Sequence, residues 1–178
     1  MRQLGPRWFA RAHEPVEDGA KSPTVRRMRR QDLREVADIE RRSYSLPWSA
    51  FTFRSLLRRS NAILLVAEEN KCVAGYAALW LAADEAELGN LAVRPGRRGW
   101  GIGRTLLHHV LEEAAQRGAR AVFLEVRESN TVARRLYEAS GFRIVGSRPD
   151  YYASPREDAL VMRLSFDRLS LTVSRPGR

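Results

Sequence analysis

Apolar residues Leu106, Leu107, Val110, Leu111, Ala114 and Ala115 recur every three to four positions, the period of one buried helix face. Gly118 follows where a left-handed turn commonly ends a helix. A second helical stripe, Leu33, Val36, Ala37 and Glu40, starts behind Asp32, which reads as its N-cap. The run Ser45-Leu46-Pro47-Trp48-Ser49 breaks that stripe, and a third carries Phe53, Leu56 and Leu57. Ser129 or Asn130 caps a fourth helix through Ser140, closed by Gly141. Residues 24–29, 62–67, 72–83, 87–93, 121–126, 142–145 and 159–164 read as strands, and the two runs around Glu68-Glu69-Asn70 as a hairpin. The order β-α-α-β-β-β-α-β-α-β-β predicts one α/β domain over residues 24–166, a mixed sheet flanked by helices. Residues 1–23 show no period and carry Gly5, Pro6, Pro15, Gly19 and Pro23, so a flexible arm is expected there. A polar, frayed tail is expected over residues 167–178.

Composition narrows the class. The 178 residues suffice for one cored domain, and 44% hydrophobic content argues against disorder. No run reaches the roughly eighteen apolar residues of a membrane span. The twelve residues from Cys72 to Ala83 are broken by Gly75 and suit a strand. No apolar run follows Arg2, Arg7 and Arg11, so no secretory signal is expected. The lone Cys72 excludes an internal disulfide framework and a cysteine metal site. A cytoplasmic protein without a membrane or metal partner is expected. The formal net charge of +10 invites a nucleic-acid reading. The basic residues are almost all arginines, however, and they scatter over several helix faces rather than one stripe, so no direct nucleic-acid partner is expected.

The stretch Leu91-Ala92-Val93-Arg94-Pro95-Gly96-Arg97-Arg98-Gly99-Trp100-Gly101-Ile102-Gly103-Arg104 carries chemistry. A strand runs into a glycine-rich turn and then a helix. Free amides at a helix N-terminus suit phosphate oxygens, and glycines allow close approach. A plain connecting turn is the alternative. The spacing is not the dinucleotide fingerprint, and no Gly-Lys-Ser/Thr makes it a Walker loop.

Further on, Phe123, Glu125 and Arg127 share one strand face, opposite Val122, Leu124 and Val126. Glu125 then lies near the strand's C-terminal end, where open α/β sheets bind ligands, and is a candidate proton acceptor. A structural ion pair with Arg127 or Arg135 is the alternative. Tyr137 lies on the following helix as a proton donor or a packed core tyrosine. His108 and His109 sit at or beyond the border of the apolar stripe and read as exposed helix histidines.

The Arg98-x-x-Gly101-x-Gly103 arrangement after a strand, with this element order, resembles the GNAT acetyltransferases. Pro47-Trp48-Ser49, Leu124-Glu125-Val126-Arg127 with Ser129-Asn130, Leu136-Tyr137 with Gly141-Phe142, Tyr151-Tyr152 and Glu157-Asp158-Ala159 together resemble the RimI subfamily. The resemblance covers residues 25–166. It implies transfer of an acetyl group from acetyl-CoA to the N-terminal alanine amine of the small-subunit ribosomal protein bS18, without an acyl-enzyme. It implies Glu125 as general base, with Glu87 as a rival, and Tyr137 as general acid. Leu91, Ala92, Val93, Arg98, Gly99, Trp100, Gly101, Ile102, Gly103, Arg104 and Asn130 would hold acetyl-CoA. Trp48, Tyr151 and Tyr152 would line the peptide groove. Trp48 as a hydrophobic staple at a helix start remains equally open, as does Asn130 as a simple N-cap. Alternatives in function are a broader N-terminal or lysine acetyltransferase and a non-catalytic binding module.

Overall fold

The computed structural model describes residues 23–166. The expectations of a flexible arm over residues 1–23 and a frayed tail over residues 167–178 fall, but for Pro23, outside the described residues. Seven strands, β1 (Thr24–Arg27), β2 (Ala62–Glu69), β3 (Cys72–Ala82), β4 (Glu85–Val93), β5 (Ala121–Arg127), β6 (Arg143–Ala153) and β7 (Arg156–Ser165), form one sheet in the order β1-β2-β3-β4-β5-β7-β6. The helices are α1 (Leu33–Arg41), α2 (Ala50–Leu56), α3 (Ile102–Gln116) and α4 (Thr131–Ala139). Their order along the chain is the predicted one. Every strand pair is antiparallel except β4–β5.

The continuous apolar run of β2 reflects burial on both faces. Ile63, Leu65 and Ala67 face α3, packing with Leu106, Leu107 and Val110. Ala62, Leu64 and Val66 face α1 and α2, packing with Val36, Ile39 and Phe53. The sheet thus sits between two helical layers.

Two features differ from expectation. The last two strands are longer than residues 142–145 and 159–164, and they form one hairpin around the turn at Ser154–Pro155. Strand β6 is an exposed edge, so it needs no apolar alternation for the eye to find. Asp32 stands at the N-cap position of α1, as expected, but its side chain makes no capping hydrogen bond to that helix. It ends a 3-10 turn, where its carboxylate accepts the Arg29 N–H at 2.7 Å and pairs with Arg26 at 2.7 Å.

For the site, the decisive feature is where β4 and β5 part. Their ladder covers only Glu85–Leu88 against Ala121–Leu124. Beyond it, β4 stays on β3 through Gly75↔Val93 while β5 stays on β7 through Arg127↔Ala159. A gap therefore opens in the middle of the sheet. A bulge in β4 at Gly89 marks its start. A side chain there would run into the Trp80 and Trp48 rings, since an added Cβ would lie 2.4 Å and 2.8 Å from them.

Candidate active site

On one side of the gap, β4 leads through a 3-10 turn (Pro95–Arg97) to the N-terminus of α3. Gly99 and Gly101 take φ of +85° and +79°, which glycine adopts without strain. Apart from their chain neighbours, no atom of the described residues lies within 4 Å of where their Cβ atoms would stand. Gly101 is the N-cap and no side chain caps the helix. The first amides of α3, at Ile102, Gly103 and Arg104, thus lack intrahelical acceptors and carry the positive end of its dipole. The Ile102 side chain itself is buried in the core, while Trp100 and Arg104 are exposed. Arg98 donates to the Val93 carbonyl at 3.1 Å and to Ser43 Oγ at 3.2 Å. Ala92 departs from expectation: its side chain turns into the α1–α2 layer, and its peptide groups alternate away from those of Leu91 toward β3, opposite Tyr76, so it offers the gap neither.

Leu91 meets a residue that sequence reasoning missed. The Tyr44 hydroxyl donates to the Leu91 carbonyl at 2.9 Å and accepts from the Leu91 N–H at 3.3 Å. Burial, with Tyr137 and Glu40 nearby, raises the Tyr44 pKa far above the ordinary phenol value. Glu40, fully buried, anchors the same region. Its carboxylate accepts the Trp48 backbone N–H at 2.8 Å, Asn90 Nδ2 at 2.9 Å and the Tyr76 hydroxyl. Burial raises its pKa, and these three donors oppose the rise.

Across the gap, Glu125 lines a cleft of about 280 Å³ with Glu85, Glu87, Phe123, Arg148 and Val161. It pairs with Arg148 of β6 at 2.8 Å, and not with Arg127 or Arg135. The neighbouring Glu125 carboxylate pushes the Tyr151 phenol up to about 12, with partial burial adding to the rise. Glu87 keeps exposed surface, yet desolvation in the cleft raises its pKa and Glu125 adds to the rise. Tyr137 is 8% exposed and packs against Phe142 with ring centroids 5.7 Å apart. Burial, then the neighbouring Tyr152, raises its pKa strongly. Tyr152 in turn feels Glu125 and Arg127. The structure thus gathers Glu125, Tyr152, Tyr137 and Tyr44 around the gap.

The sequence profile of the Acetyltransferase (GNAT) family matches residues 33–142. The chain belongs to the GNAT acetyltransferase family. A relative in Bacillus subtilis (strain 168) is 39% identical over 139 residues, covering 78% of this chain and 92% of the relative. The [ribosomal protein bS18]-alanine N-acetyltransferase of Escherichia coli (strain K12) is 37% identical over 143 residues, covering 79% and 96%. A crystal structure of the Escherichia coli ribosomal-protein alanine N-acetyltransferase superposes with a TM-score of 0.74 at 37% identity, covering 80% of this chain and 92% of that one. This protein is accordingly an acetyl-CoA-dependent acetyltransferase, homologous to protein N-terminal acetyltransferases.

In this acetyltransferase one guanidinium ties the two rims of the gap together. Arg127, at the end of β5, donates to Ser45 Oγ in the α1–α2 loop at 3.0 Å. It also donates to the carbonyls of Ser154 and Pro155 at 3.0 and 3.1 Å and to Glu157 at 3.2 Å. Its Cζ lies 4.0 Å from the Tyr152 ring centroid. Tyr151 and Tyr152 stand edge-to-face beside it, 5.1 Å apart. Trp48 takes the staple position: it precedes the N-cap Ser49 and packs on Phe53, one turn into α2, at 5.5 Å. Asn130 caps α4, its side chain accepting the Ala133 N–H at 3.1 Å. Cys72 stands exposed at the start of β3. Among the described residues no cluster of three or more His, Cys, Asp or Glu side chains has a metal-holding geometry. No described helix is long and apolar enough to cross a membrane.

Proposed function

We propose that this enzyme acetylates the N-terminal α-amine, an alanine, of the small-subunit ribosomal protein bS18, within residues 24–166 acting as one catalytic domain. The observation that carries the reading is the placement of Glu125. It lies one residue beyond the end of the β4–β5 ladder, paired with Arg148 and beside Tyr151. The homologous E. coli enzyme bears that activity in its name.

The open space over Gly99 and Gly101 and the amides opening α3 fit a pyrophosphate, with Arg98 and Arg104 adding charge. Leu91 and Val93 would hold the pantetheine arm through their backbone. Asn130 would approach it from the start of α4. Acetyl-CoA supplies the activated thioester carbonyl. An N-terminal ammonium has a pKa near ~8, so it needs to shed a proton before it attacks. Glu125 takes that proton, directly or through water. A β4 backbone N–H at Leu91 or Val93 steadies the negative charge on the carbonyl oxygen. As the carbon–sulfur bond breaks, Tyr137 gives its proton to the sulfur, and the second proton that the nitrogen sheds on becoming an amide restores the phenol through water. Burial keeps that phenol protonated throughout the neutral range. The Trp48 loop and Tyr151–Tyr152 line the acceptor path.

Purified enzyme, acetyl-CoA and peptides test this by mass spectrometry. Gain of one acetyl group is expected on a peptide with the free N-terminal alanine of bS18. None is expected on an N-blocked peptide with a free lysine. Gain on many N-termini would keep the chemistry and widen the substrate. No gain on any peptide would sink the reading.

A further inference from the structure

The backbone of Leu91 poses a problem that the fold solves with a side chain. Leu91 lies past the end of the β4–β5 ladder, so its outward N–H and C=O have lost the strand that would pair them. Buried backbone groups left without partners are costly, and native structures nearly always satisfy them. Here a single phenol satisfies both. The Tyr44 oxygen accepts from the Leu91 N–H at 3.3 Å while its proton goes to the Leu91 carbonyl at 2.9 Å. One hydroxyl thus offers one residue the acceptor and the donor that a neighbouring extended chain would offer.

The phenol is also delivered by a fixed support. The Ser43 and Tyr44 amides both donate to the Glu40 carbonyl, at 2.9 and 3.0 Å. The Glu40 carboxylate holds Trp48 on one side and Asn90, the residue before Leu91, on the other. The α1–α2 loop is thereby stapled to β4 at the point where Tyr44 reaches across. Tyr137 stands close enough to raise the Tyr44 pKa, which puts the phenol among the groups gathered at the gap.

An acyl-donor arm carries the same pair of functions: amide N–H groups that donate and carbonyl oxygens, the thioester's among them, that accept. We propose that Tyr44 is a positioning residue that serves as a built-in placeholder for the acyl donor, its hydroxyl keeping the Leu91 N–H and C=O paired in the donor-free enzyme and yielding them when the donor enters. This rests on the functional reading above, in that β4 backbone is where the donor binds. The placeholder keeps the edge of β4 aligned and satisfied without a ligand. It also means that donor binding exchanges one set of hydrogen bonds for another instead of adding a new set.

The test uses the full-length enzyme, Tyr44→Phe, and acetyl-CoA titrated by calorimetry, with the Leu91 amide followed by NMR. The ring stays and only the hydroxyl is lost. Removing an occupant that competes with the donor is expected to tighten acetyl-CoA binding about 3- to 10-fold, the size of one ordinary hydrogen bond. The Leu91 amide is expected to exchange faster with solvent in donor-free Tyr44→Phe than in donor-free wild type, and equally slowly in both once donor is bound. A hydroxyl with a merely structural role would lower the melting temperature without tightening binding. Unchanged or weaker binding in Tyr44→Phe, or a Leu91 amide indifferent to the substitution, would overturn the inference. Wild type that binds no acetyl-CoA would instead sink the donor-site reading, and this inference with it.

Discussion

Along the α3 side of the gap, the groups that open onto it are mostly backbone: the amides that open α3, the glycines at positive φ, and the Leu91 and Val93 peptide groups. Across the gap they are side chains joined to one another: Glu125 to Arg148 and Tyr151, and Arg127 to Ser45, Glu157 and the Tyr152 ring. A backbone site is specified by a few consecutive residues, because only local φ and ψ must be right. A side-chain site is specified by residues far apart in sequence, because the fold must bring them together. The first tolerates changes of side chain and fails when conformation changes. The second fails when any one crosslink is cut.

The largest effect expected is on chemistry alone. Glu125→Gln keeps the shape and removes the proposed proton acceptor, so kcat should fall about 10²- to 10³-fold. Acetyl-CoA affinity by calorimetry should stay within about twofold, since Glu125 lies on the other rim. A proportional loss of donor binding would erase the division between the two sides.

Gly101→Val attacks the backbone side. A β-branched residue at φ +79° costs about 1–2 kcal/mol and swings the first amides of α3 off their aim. Acetyl-CoA binding should weaken by about tenfold or more, with the KM for the acceptor peptide nearly unchanged.

That asymmetry also explains what could be read from the chain. The glycine-rich turn and its helix were legible because their conformation is set locally. The element order was legible because α3 and β2 bury continuous apolar patterns. The partner of Glu125 was not. Arg148 sits 23 positions on (148 − 125), in an edge strand whose exposed polar residues hide its conformation. Tyr44 was invisible for a related reason: nothing in a loop sequence says that a phenol will fill a gap between two strands. Asp32 looked like a cap by position, and the cation at Arg26 drew it elsewhere.

A milder cut on the side-chain side is Arg127→Met, which keeps the apolar stem and loses every clasp. The KM for the acceptor should rise about five- to tenfold and that for acetyl-CoA should stay within about twofold in steady-state kinetics. Equal rises in both would place Arg127 in the overall fold instead of in one rim.

The smallest effect concerns pH. The fold raises the pKa of Glu87 above its ordinary 4.5, so the protonated form is favoured in the native state. The stability this lends is fully present below 4.5 and is lost as pH rises through the raised value. Glu87→Gln removes that loss. Its melting temperature at neutral pH should exceed wild type by no more than about 2 °C, because Glu87 keeps exposed surface and solvent screens it. The difference should disappear near pH 4. A variant that melts lower than wild type at neutral pH would mean that the interactions with Trp80 and Arg148 outweigh the desolvation.

Among the described residues strand β6 ends the sheet with one side unpaired, and Ile144 and Val145 lie exposed on it. Such a rim invites a second molecule to add its own strand and begin a polymer. Pro149 withholds a donor, Arg143 places a charge along the rim, and the irregularity between Arg148 and Tyr152, with Asp150 at φ +53°, bends the strand out of line. The kink that brings Tyr151 near Glu125 is therefore also a bend that a flat added strand could not follow.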